Sequence, residues 1–171
     1  MLFREVELPG EISGRLYLHS MPGRREPLGD VWAEISRQGI SMLVCLAPLD
    51  EIRQKSPQYA DALERASAPC TLRLFPIGDY QAPEDDSAFC NAVASTANSL
   101  CAGECVLLHC GAGIGRTGMF AAATLMAVGL SEREARQRIK AAGSWPERPA
   151  QEEALRRVGS CLTKGPSSND S

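Results

Sequence analysis

The sequence predicts a single α/β domain, with a central, mostly parallel sheet flanked by helices. Three observations point there. Short apolar runs of strand length alternate with amphipathic helical patterns. Helical patterns alone follow the last apolar run. The chain has 171 residues, 44% of them hydrophobic, which is enough for one core, and no linker divides it.

The first strand is predicted over Arg15–Leu18, where apolar and polar residues alternate. "PLGDVWAEISRQG" then sets Leu28, Trp32 and Ile35 on one helical face and stops at Gly39. Ser41–Leu46 is the second strand, "PQYADALERA" a short helix and Thr71–Phe75 the third strand. In "PEDDSAFCNAVASTANSLCAG", Pro83 and the acids Glu84, Asp85 and Asp86 mark a helix start. Phe89, Val93, Ala97 and Leu100 form its stripe, and Gly103 lies past its end. Cys105–His109 is the fourth strand, and Thr117–Gly129 is so apolar that it reads as a buried helix. Ser131 and Glu134 have the spacing of a capping box, and "AQEEALRRVGSCL" is a last amphipathic helix. The basic residues Arg133, Arg136, Arg138 and Lys140 read as a solvated helix face rather than a docking patch. Residues 1–162 make the domain, and the polar stretch 163–171 is expected to be a disordered tail.

Charge and cysteine usage narrow the function classes. A net charge of −3 gives no reason to expect nucleic acid or an anionic membrane as partner. No apolar run has the length of a membrane span, and "MLFREVELPGEISG" lacks the order of a signal peptide, so a cytoplasmic location is expected. The seven cysteines are odd in number and scattered, which suggests reduced thiols. Cys101 and Cys105 have metal-like spacing without a second pair, and His19 and His109 are far apart, so no metal is expected.

The chemistry concentrates in "VLLHCGAGIGRTG", Val106 to Gly118. A buried strand ends at His109, a helix follows, and Cys110 to Arg116 form the turn between them. Gly111, Gly113 and Gly115 leave the backbone amides of the turn, those of Ala112 and Ile114 included, free to converge on an anion. The helix N-terminus adds further amides and a partial positive charge. Gly113 to Gly118 also fits G-x-G-x-x-G. A dinucleotide unit would need an acid about 20 residues on, and Glu132 and Glu134 lie in the capping box instead. The ATP-type loop needs Gly-Lys-Ser/Thr, where this chain has Gly-Arg-Thr.

Cys110 decides between these readings. Amides and a guanidinium around a cysteine favour its thiolate, a nucleophile aimed at the bound anion. Arg116 can fork onto two phosphate oxygens. The Thr117 hydroxyl can donate to the sulfur as it leaves, and His109 can orient the loop.

"HCGAGIGRTG" resembles the signature loop of the cysteine-dependent protein tyrosine phosphatase superfamily: His-Cys, five residues, Arg, then Ser or Thr. The resemblance implies that superfamily's fold and a general acid on a loop after an earlier strand. "LRLFPIGDYQAPEDD" supplies Asp79, about 30 positions before Cys110. Glu84, Asp85 and Asp86 compete, but the predicted helix start gives them a role of their own. The large tyrosine-specific members carry Trp-Pro before this aspartate, where this chain has Ile77-Gly78. The chain is thus similar to compact dual-specificity-like phosphatases. "PIGDYQAPED" and "LPGEISGRLYLHSMPGR" resemble the cyclin-dependent kinase-associated type.

"RPAQEEALRRV" resembles the segment in which relatives present a water-positioning glutamine, which points to Gln151; the alternative is a helix-start residue. Cys45 is either a buried apolar residue or a resolving thiol for oxidised Cys110. The expected reaction is hydrolysis of phosphate monoesters through a phosphocysteine, without cofactor or metal. Protein phosphotyrosine comes first as substrate, with phosphoserine, phosphothreonine or small phosphomonoesters beside it, and the chain is expected to act as a monomer. Two rivals stand: a rhodanese-like sulfurtransferase, which has no use for Asp79, and a non-catalytic phosphate-binding module, which typically lacks the cysteine or the arginine.

Overall fold

A computed structural model describes residues 2–162; the expected tail lies outside the described residues. Five strands and seven helices follow one another as β1 (Arg4–Val6), β2 (Arg15–His19), α1 (Leu28–Gln38), β3 (Met42–Cys45), α2 (Leu49–Lys55), α3 (Pro57–Glu64), β4 (Thr71–Leu74), α4 (Asp86–Cys101), β5 (Cys105–His109), α5 (Gly115–Ala127), α6 (Glu132–Ala141) and α7 (Pro149–Leu162). The sheet order is β1-β2-β5-β3-β4. Only β1 is antiparallel to its neighbour.

Helices cover both faces, as the near-continuous apolar run of β5 requires. Val106 and Leu108 face a core shared with Phe89 and Val93 of α4, Phe120 of α5, Ile139 of α6 and Leu155 of α7. Leu107 faces the opposite core, with Val31 and Ile35 of α1, Ile52 of α2 and Tyr59 of α3. The central strand therefore ends, at His109, in the middle of the sheet and between two helical layers. Ligands in such sheets bind beyond the carboxyl ends of the strands.

Two elements lack the pattern the sequence reading relied on. β1 is three residues long, and α2 seven. Each is too short for a periodicity to show. The predicted ends of β3 still pair, since Ser41 N donates to Cys105 O and Leu46 N to His109 O. Asp85 caps α4, accepting from Ala88 N at 2.9 Å, and the Ser131–Glu134 capping box forms. The basic run of α6 departs from a solvated face. Arg136 pairs with both Glu132 and Glu152, and Arg138 donates to Glu7 O, so two of the four cations tie α6 to α7 and to the chain after β1.

All seven cysteines are free thiols. Among the described residues no cluster of metal ligands occurs, and no helix is long and apolar enough to cross a membrane.

Candidate active site

The glycine-rich turn runs from Cys110 at the end of β5 to Gly115, where α5 begins. The helix starts two residues earlier than the sequence suggests, so Arg116 and Thr117 occupy its first turn. Gly113 has φ +75°, and a Cβ there would strike the carbonyl of His19 on the neighbouring strand. Only glycine fits. Its amide points inward and lies 3.3 Å from Cys110 Sγ, which is 2% exposed. Its carbonyl points outward and is held twice, by Arg4 Nη2 at 2.6 Å and Ser144 Oγ at 2.7 Å. A brace on the outside of the turn thus fixes a donor on the inside.

Arg116 is buried, and its two Nη groups have four acceptors. Nη1 donates to Glu51 Oε2 at 2.7 Å and Ile77 O at 2.8 Å; Nη2 donates to Glu51 Oε1 at 3.0 Å and Asp79 Oδ1 at 2.9 Å. Lys55 Nζ joins the same carboxylates, 2.8 Å from Glu51 Oε1 and 3.3 Å from Asp79 Oδ2. Burial opposes the charge of Glu51, but hydrogen bonds and charge from Arg116 and Lys55 outweigh it and hold its carboxyl below the usual range. Glu51 and Lys55, one turn apart on α2, belong to the site and escaped the sequence reading. Nothing in "LDEIRQK" sets them apart from an ordinary i, i+4 pair.

His109 is fully buried. Nδ1 donates to Cys110 O at 3.1 Å, which leaves Nε2 to accept from Tyr59 Oη at 2.8 Å. Burial lowers its pKa to about 4, so the ring is neutral. Through Cys110 O it is tied to the start of the turn. Thr117 Oγ1 is buried without a hydrogen-bond partner, so its expected donation to the sulfur is not made in this structure.

Gln151 is also buried, and both ends of its amide are taken. Oε1 accepts from Glu147 N at 2.9 Å, and Nε2 donates to Gln81 O at 3.2 Å. It joins the acid loop to the segment before α7. Tyr80, beside Asp79, holds φ +60° with its ring half exposed, and the Arg148 guanidinium lies 4.3 Å from the ring centroid. Cys45 lies in the opposite core from Cys110, its thiol 3.6 Å from Ala47 O, and burial pushes its pKa up to about 11. These surroundings match the buried-residue reading of Cys45.

One cavity of about 140 Å³ gathers Cys110, Ala112, Arg116, Asp79, Gln151, Lys55, Arg24, Tyr80 and Glu147. A nucleophile and a guanidinium from one segment of sequence meet there with a carboxyl group from another.

Solved structures with the same fold cover nearly all of the chain. Kinase-associated phosphatase (KAP), crystallised with its catalytic-site cysteine replaced by serine, superposes with a TM-score of 0.80 at 18% identity, covering 96% of this chain and 97% of that one. The active form of Tk-PTP gives 0.70 at 25% identity over 92% and 97%. Human DUSP28 gives 0.66 at 22% identity over 94% and 95%. No curated protein sequence matches the chain significantly. The family described as "Polymorphic toxin system, DSP-PTPase phosphatase" matches residues 19–130, which include β3, Glu51, Asp79 and the whole turn. The chain belongs to that family and is a cysteine-dependent phosphatase of the compact, dual-specificity kind, an enzyme that hydrolyses phosphate monoesters.

Proposed function

We propose that the chain dephosphorylates protein phosphoresidues, phosphotyrosine foremost, and acts as a monomer in a cytoplasm without a metal. The observation that carries this is Cys110 Sγ, set on the Gly113 amide in the same cavity as Arg116 and Asp79. Phosphate oxygens bind the turn amides and Arg116, where they displace Asp79 from the guanidinium. Cys110 attacks phosphorus; the S–P bond forms as the ester O–P bond breaks, and Asp79 gives its proton to the leaving oxygen. Asp79 then takes a proton from water, whose oxygen bonds to phosphorus as the thiolate leaves. Arg116 and the amides hold the equatorial oxygens throughout. A sulfurtransferase would leave Asp79 idle, and a binding module would need no Cys110.

The test is p-nitrophenyl phosphate turnover. Cys110→Ser is expected to abolish it and Asp79→Asn to lower it by roughly 10²–10⁴-fold, with EDTA without effect. Full activity in Cys110→Ser would end this reading. The family's description also supports a role in a polymorphic toxin system. Expression of the active chain would then arrest growth of a host cell, and the Cys110→Ser chain would not.

A further inference from the structure

Five charged side chains line the catalytic cavity: Arg24, Lys55, Asp79, Arg116 and Glu147. Three of them neutralise one another, since Arg116 and Lys55 both pair with Asp79, and Glu51 behind them takes up the rest. Arg24 and Glu147 are different. Both are exposed, and neither has an ion-pair partner among the described residues. They also stand on different walls. The loop carrying Arg24 is fastened to the α2–α3 corner, where Ser56 Oγ donates to Pro22 O at 2.8 Å. Glu147 is fastened to α7 through its amide on Gln151, and its carboxylate packs against Gly115 at the start of α5. A cation and an anion without ion-pair partners among the described residues therefore line the cavity from two sides.

We propose that Arg24 and Glu147 are specificity residues that select phosphopeptides with an acidic residue on one side of the phosphoresidue and a basic residue on the other. The proposal rests on the phosphatase reading of the cavity. A substrate side chain of the right sign meets an unpaired charge at each wall, and one of the wrong sign meets repulsion. Glu147 also disfavours a substrate crowded with phosphates, such as an inositol polyphosphate, which would bring like charge to that wall. Each contact is exposed, so each is worth only a few-fold, and salt weakens it.

Four phosphotyrosyl peptides test this, identical except for Asp or Lys immediately before and after the phosphotyrosine. At low salt, one of the two mixed peptides is expected to have the highest kcat/KM, exceeding its reverse by about three- to tenfold. Arg24→Glu should reverse the preference at one flank, Glu147→Lys that at the other, and the double exchange should invert the order of the mixed peptides. Equal turnover of all four peptides by the wild type, an unchanged order in the double exchange, or faster turnover of an inositol phosphate than of every peptide would overturn the proposal. If no peptide and no p-nitrophenyl phosphate is turned over, the phosphatase reading itself fails, which is a separate result.

Discussion

Glu51 meets Arg116 edge to edge, with Oε2 2.7 Å from Nη1 and Oε1 3.0 Å from Nη2. The guanidinium is 2% exposed, so its charge depends on that carboxylate for compensation and its plane depends on it for direction. Removing one partner of such a buried pair costs roughly 3–5 kcal/mol. Glu51→Gln is therefore expected to lower the melting temperature by about 8–14 °C and to raise KM for p-nitrophenyl phosphate. Scanning calorimetry and steady-state kinetics on the same preparation check both effects.

Protonation of His109 gives a stability profile with a defined sign. Its folded pKa is about 4, against 6.5 in the unfolded chain. Between those values the unfolded chain binds the proton and the folded chain does not. Stability is therefore complete above pH 6.5, falls as the pH drops through that window, and levels off below about 4, for a total loss of roughly 3 kcal/mol. Urea unfolding at pH 7 and pH 5 reads most of this, and His109→Gln should show a flatter profile.

Thr117 offers a cleaner separation of chemistry from folding. Its Oγ1 is buried and unpartnered, so Thr117→Val removes an uncompensated polar atom and should leave stability within about 1 kcal/mol. If the hydroxyl assists departure of the sulfur, the second step slows and phosphocysteine accumulates. A rapid-quench burst approaching one equivalent of p-nitrophenol, with kcat about tenfold lower, is the expected result.

Arg4 braces the turn from outside, donating to Gly113 O at 2.6 Å and to Ala142 O at 3.0 Å. Hydrogen bonds from a charged donor contribute about 1.5–3 kcal/mol. Arg4→Ala should thus loosen the inward Gly113 amide and lower kcat/KM by roughly 10–100-fold. Protection of Cys110 from iodoacetate by vanadate, compared between the two proteins, checks that the anion site is what has weakened.

The parts of this molecule that could be read from sequence were those with local signals. β5, the turn and α5 form a continuous run whose glycines, cysteine and arginine each need the others nearby. Asp79 was legible only through the family resemblance, which implies an acid on a loop after an earlier strand. Glu51, Lys55, Tyr59, Arg4 and Ser144 were not, because they reach the turn from four separate elements and have no local pattern of their own. β1 was too short to show alternation, yet it delivers Arg4. Gln151 was found, but the sequence could not show that Gln81 and Glu147 would occupy both ends of its amide.

That clasp bears on how the acid loop is held. One side chain grips the acid loop and the hinge of the C-terminal helix together. Neither can shift alone without breaking a partly buried hydrogen bond. The acid loop is therefore anchored from α7 as well as from its own strand, and a change at either anchor reaches Asp79.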